Sequence, residues 1–92
     1  MFTTIIPEFV EFIPNEMAEG ILYISLEYDT ALHKCFCGCG EKVVTPIDPK
    51  PPHNGWTLTN HNGVVSLSPS IGNFQLACKT HYFIRENKIV WC

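Results

Sequence analysis

Most of the five cysteines and four histidines of this 92-residue chain stand in two short strings. The first is His33-Lys34-Cys35-Phe36-Cys37-Gly38-Cys39-Gly40, and the second is Cys78-Lys79-Thr80-His81. Thiolate sulfur and imidazole nitrogen suit Zn²⁺, whose structural sites take four such ligands in a tetrahedron, commonly two from each of two tight turns. Cys78 and His81 form one half-site, and Cys35, Cys37 and Cys39 over-supply the other. The preferred set is Cys37, Cys39, Cys78 and His81. A set of four thiolates, Cys35, Cys37, Cys39 and Cys78, is the alternative and frees His81. Gly38 and Gly40 supply backbone that can turn tightly about an ion. Four protein ligands leave no position for water, so the expected zinc is structural. Its binding, on the order of 10 kcal/mol, would reinforce a core that is marginal at this length. Cys92 is expected to be a bystander. Two other readings are weaker: inert buried thiols, and a Rieske iron–sulfur site, which needs Cys-x-His where this chain has His33-x-Cys35.

A second chemical candidate is Val65-Ser66-Leu67-Ser68-Pro69-Ser70-Ile71-Gly72-Asn73. Ser70 becomes a nucleophile if a histidine lies within hydrogen-bond reach, and Gly72 and Asn73 offer donors for an oxyanion. The run is not a Gly-x-Ser-x-Gly elbow. Taken alone it reads as a turn held by serine hydroxyls. His33 reads equally as a polar neighbour of the cysteine turn. His53 and His61 fall in expected loops, and Trp56, Trp91 and Tyr82 read as packing residues.

The elements that must position these residues read as short strands and hairpins with minimal helix: a mostly β, compact single domain over residues 1–92 carrying two metal-binding turns. Glu8–Ile13 is expected as an edge strand ending at Pro14, and Asn15–Gly20 as one helical turn at most. Ile21–Tyr28 is the strongest strand, with Leu22, Ile24, Leu26 and Tyr28 on one face. Glu41–Thr45 is another strand, followed by a proline-rich surface loop over 46–55. Asn60-His61-Asn62-Gly63 joins Trp56–Thr59 to Val64–Leu67 as a hairpin. Phe74–Leu76 is expected as a strand, and Glu86-Asn87 joins Tyr82–Arg85 to Lys88–Trp91 in a second hairpin.

Charge excludes one class of partner. Residues 1–33 carry six acidic and no basic side chains, and the six Lys and Arg of the chain never form a run. Nucleic-acid binding needs clustered cations and is not expected. No apolar run approaches the roughly 18 to 20 residues of a membrane helix, so no membrane span is expected. An odd cysteine count and a start without basic and apolar leader regions point to a reducing, cytoplasmic setting.

Taken together, Leu22-Tyr23-Ile24-Ser25, His33 through Pro46, Val65 to Asn73 and Cys78 to Ile84 resemble one small bacterial family, the BubE group. Its members are encoded beside ubiquitin-like, E1-like and E2-like genes in ubiquitination-like operons. The strings Cys-x-Cys-Gly-Cys-Gly, Ser-Pro-Ser-Ile-Gly-Asn and Cys-x-x-His-Tyr carry the resemblance jointly, over about Phe9 to Trp91. It implies a metal-bound serine peptidase, deubiquitinase-like, that processes or removes a ubiquitin-like protein. Carried over, Ser70 is the nucleophile, with Ser68 as substitute. His33 is the base if His81 binds metal, and His81 is the base if four thiolates do. No carboxylate claims a third position, so a dyad is implied, with Asn73 available to orient it. The chain departs from the family in its expanded loop after Pro46 and in Phe74, where tryptophan is usual. The contrasting expectation is a non-catalytic zinc module that docks conjugation enzymes.

Overall fold

The structure is a computed structural model and describes residues 1–48 and 55–92. Among the described residues there are eight strands: β1 (Ile6–Phe9), β2 (Ile21–Ser25), β3 (Thr30–Lys34), β4 (Lys42–Pro46), β5 (Thr57–His61), β6 (Val64–Gly72), β7 (His81–Arg85) and β8 (Lys88–Trp91). They make two four-stranded sheets in sequence order, β1-β2-β3-β4 and β5-β6-β7-β8. All pairs are antiparallel except β1 with β2, which run parallel. There is no helix among the described residues, and none long and apolar enough to cross a membrane.

Turn chemistry sets much of this order. Asn62-Gly63 and Glu86-Asn87 each place two consecutive residues at positive φ, the geometry that matches the twist of a two-residue hairpin. Asn87 then does more than turn: its side-chain oxygen accepts Val65 N–H at 2.8 Å and its amide donates to Gly63 O at 3.1 Å. That ties the second hairpin to the first.

The inner faces meet in one core of Leu22, Ile24, Ala31, Val65, Leu67, Ile71, Tyr82, Ile84 and their neighbours. Each large apolar side chain removed from water here contributes about 1.5–3 kcal/mol. The sheets are laced at both margins. Thr4 bridges to Lys88 and Ile47 to Trp56, while Phe2 N–H donates to Phe36 O at 2.8 Å.

Several sequence expectations shift. The edge strand begins earlier, at Ile6, and Asn15–Gly20 is bends and a turn, where Tyr23 hydroxyl accepts Ala18 N–H at 2.9 Å. β2 stops at Ser25 because the chain reverses through Leu26–Asp29, with Asp29 at φ 50°, so Leu26 and Tyr28 are exposed instead of continuing the inner face. β3 was not anticipated; it brings His33 into the core. Phe74–Leu76 is no strand. Leu76 N–H donates to Asn73 O at 3.0 Å and Lys79 N–H to Leu76 O at 3.1 Å, so successive turns deliver Cys78. Of the proline-rich loop expected over 46–55, Pro46 ends β4, and residues 49–54, with His53, lie outside the described residues.

Candidate functional site

Two turns bring the thiols together. After β3, Cys35 N–H donates to Glu41 O at 2.8 Å and Gly38 N–H returns to Cys35 O at 3.1 Å. Gly38 and Gly40 hold φ of 95° and 83°, a conformation costly for residues with a Cβ. The turns after β6 present Cys78 from the other sheet. The sulfurs of Cys35, Cys37, Cys39 and Cys78 all lie within 4.8 Å of one another. Cys35 Sγ is 3.4 Å from Cys37 Sγ and 3.7 Å from Cys78 Sγ. Zn–S bonds of about 2.3 Å in a tetrahedron require S···S separations of about 3.8 Å, so the donor set fits a thiophilic divalent cation.

The surroundings suit bound thiolates. Thr80 hydroxyl lies 3.3 Å from both Cys35 Sγ and Cys78 Sγ, and Asn73 Nδ2 donates to Cys35 Sγ at 3.5 Å. Hydrogen bonds from the Thr80 side chain and backbone pull the Cys78 thiol down to about 6, so it is predominantly thiolate at neutral pH. Burial, with contact to Cys39 next, pushes Cys37 up to about 12. A cation at the centre would remove that conflict by holding both as thiolates.

His81, first expected among the ligands, is turned elsewhere: its Nε2 lies 2.6 Å from Ser70 Oγ. Strand alternation puts Ser70 on the outer face, opposite in direction to the buried Leu67 and Ile71, and a two-residue register shift in β6 between them sets His81 of β7 opposite Gly72. The imidazole is flanked by Phe74, edge-on at 5.4 Å, and by Phe83, stacked at 6.2 Å. With His81 neutral, the serine O–H donates to Nε2, the arrangement from which a histidine takes the proton of an attacking hydroxyl. No carboxylate hydrogen bond to His81 occurs among the described residues. Ser68, the substitute nucleophile, is exposed and pairs with Thr57.

His33, the other base considered, sits in the core. It is fully buried, stacked on Phe36 with ring centroids 4.3 Å apart, and its Nε2 is 2.7 Å from Tyr82 Oη. Asn73 Nδ2 donates to that hydroxyl at 3.4 Å, so the network assigns the Tyr82 proton to His33 Nε2. His33 Nδ1 has no partner among the described residues. Burial lowers its pKa to about 3, keeping it neutral, and raises that of Tyr82. Asn73, expected to orient the pair or serve an oxyanion, is committed otherwise: its N–H donates to Thr80 O at 2.8 Å and its side chain to the thiol network. Cys92 is exposed at the end of the chain, where its N–H donates to His81 O.

Sequence reasoning missed Thr80 and Tyr82 as supports. Thr80 lay in view between Cys78 and His81; a hydroxyl so close to a thiolate ligand was the available signal.

Fold and site together define a class: a small all-β domain whose two sheets are joined at one end by a four-thiol cluster, with a serine–histidine pair formed by Ser70 of β6 and His81, three residues after Cys78. The chain belongs to the family described as the bacterial ubiquitination-like system serine protease (BubE), which it matches over residues 9–92. Neither the curated proteins nor the solved structures contain a match to it.

Proposed function

We propose that the chain is a serine peptidase in which Ser70 is the nucleophile and His81 the general base, acting on the C-terminal tail of a bacterial ubiquitin-like protein or on its conjugates. The observation that carries this reading is the 2.6 Å approach of Ser70 Oγ to His81 Nε2. Ser70 Oγ attacks the scissile carbonyl while His81 takes the hydroxyl proton. As the tetrahedral adduct collapses, His81 returns that proton to the leaving amine, and an acyl-serine ester remains. Water, deprotonated by His81, then hydrolyses the ester and regenerates Ser70. Phe74 and Phe83 hold the imidazole ring in place of a third polar residue.

Cys35, Cys37, Cys39 and Cys78 would hold a structural zinc. The ion would cross-link the two sheets and supply no open coordination position. Because Cys78 is three residues before His81, that cross-link also fixes the start of β7 and the register of the base against Ser70. The family description supports work within a bacterial ubiquitination-like system; a cytoplasmic setting beside E1-like and E2-like enzymes is part of this reading. A non-catalytic zinc module docking those enzymes is the second reading, favoured by the lack of a carboxylate partner for His81 among the described residues. Incubation with a ubiquitin-like precursor extended beyond its diglycine separates them. Cleavage that Ser70→Ala abolishes, with fold and metal retained, supports the peptidase; equal inactivity of wild type and Ser70→Ala refutes it.

A further inference from the structure

Two strand edges have no strand partner among the described residues. β4 is the last strand of its sheet, and its ladder alternates: Cys35 N–H donates to Glu41 O and Ile47 N–H to Asp29 O, both at 2.8 Å. Val43 and Thr45 therefore bond to β3, while the amides and carbonyls of Lys42 and Val44 face outward. Further along that edge Pro46 carbonyl accepts Trp56 N–H at 2.7 Å. On the other sheet, β5 covers β6 only as far as Ser68, opposite Thr57. Beyond it, Asn73 N–H donates to Thr80 O at 2.8 Å and Gly72 stands opposite His81. That register turns the Gly72 amide and carbonyl away from β7, to the side β5 has vacated.

These edges share a cleft of about 280 Å³ lined by Lys42, Val44, Trp56, Ile71 and Gly72. It lies just under the ~300–1,000 Å³ of small-molecule sites, room for backbone and small side chains but not for bulky ones. Its one cation among the described residues is unusual. Lys42 stands directly across the β3–β4 ladder from Lys34, a like-charge pair that sheets disfavour, and neither lysine has an ion-pair partner among the described residues. Gly72 narrows the outer wall: a Cβ there would meet Phe74 Cε2 at 2.8 Å, so only glycine lets that ring close over the strand and reach the edge of His81.

We propose that this cleft is the substrate channel, taking an extended peptide by strand addition between the edges of β4 and β6. The peptide backbone bonds to Gly72 on one side and to Val44 or Lys42 on the other, small residues such as glycine pass the Phe74 wall, and an acidic side chain pairs with Lys42. Strand rise puts Ser70 about 7 Å from the Gly72 contact, so the acidic residue lies a few positions from the scissile bond. This assignment rests on the reading of Ser70 as nucleophile, and the test keeps the two separable.

The Ser70→Ala protein, loaded with zinc and labelled with ¹⁵N, is titrated with two short N-acetylated peptides. Both have a central Gly-Gly; one is flanked on each side by Glu, the other by Gln. The channel predicts amide shifts concentrated at Lys42, Val44 and Gly72, about tenfold tighter binding of the Glu peptide, and loss of that preference in Lys42→Glu. Equal affinity for the two peptides, absence of binding, or shifts centred elsewhere overturns it. If the cleft binds as described and wild type leaves the peptide uncut, the nucleophile reading fails and the channel stands. If wild type cuts the peptide and Ser70→Ala binds it elsewhere, the channel fails and the nucleophile stands.

Discussion

Exchanging the two histidines separates a base from a core residue. His81→Gln removes the nitrogen 2.6 Å from Ser70 Oγ while keeping a polar side chain of similar reach. Loss of general-base catalysis is worth about 10²–10⁴ in rate, or roughly 3–5 kcal/mol of activation free energy. His33→Phe acts on the fold instead. It removes the acceptor of the Tyr82 hydroxyl, leaving a buried donor at a cost of about 1–3 kcal/mol, and it also removes the unpartnered Nδ1, which carries a penalty of the same size. The ring stack on Phe36 survives because phenylalanine has a similar planar face. The two effects nearly cancel, so a stability change within about 2 kcal/mol is expected. Single-turnover cleavage of a ubiquitin-like precursor, beside urea unfolding of the zinc-loaded proteins, measures both quantities. His33→Phe should cut within a few-fold of wild type, and His81→Gln should lose at least about a hundredfold. A folded, zinc-loaded His33→Phe that is inactive, beside an active His81→Gln, would refute the assignment of the base.

Other outcomes follow from the same geometry. Serine replacements of Cys35, Cys37, Cys39 or Cys78 should each reduce bound zinc well below one per chain by elemental analysis, whereas His81→Gln and Cys92→Ser should leave it near one; loss of zinc in His81→Gln alone would restore the histidine as a ligand. Asn73→Leu strips the donors from Cys35 Sγ and Tyr82 Oη and should weaken zinc about 10–100-fold in chelator competition. Asn87→Ala breaks both ties between the hairpins and strains a residue at φ 61°, so the urea midpoint should fall by the equivalent of about 2 kcal/mol, while Asn87→Gly should lose less.

The parts of the fold legible in the sequence were those governed by local chemistry. Asn62-Gly63 announces a hairpin because both residues tolerate positive φ, and at Glu86-Asn87 only Asn87 carries that signal, Glu86 being held at φ 50° by the pairing of the flanking strands. The convergence of the cysteine strings was legible for the same reason, since turn glycines and ligand types sit next to one another. β3 was not, because Thr30-Ala31-Leu32-His33-Lys34 has no apolar alternation until His33 is known to be buried, and that burial depends on Phe36 and Tyr82 from distant segments. The choice between His33 and His81 was hidden likewise. Nothing local distinguishes them, and the bulge in β6 and the pairing of Gly72 with His81 decide which one meets Ser70. The turn at Phe74–Leu76 replaced an expected strand because Asn73 O accepts Leu76 N–H and Leu76 O accepts Lys79 N–H, which reverses the chain after Gly72.

The central claim is that Ser70 is a nucleophile activated by His81. Covalent labelling of the folded, zinc-loaded protein with a fluorophosphonate, located by peptide mass spectrometry, tests it most directly. One adduct is expected, on Ser70, lost in Ser70→Ala and strongly slowed in His81→Gln. An adduct on Ser68, or labelling of Ser70 at an unchanged rate in His81→Gln, would contradict it.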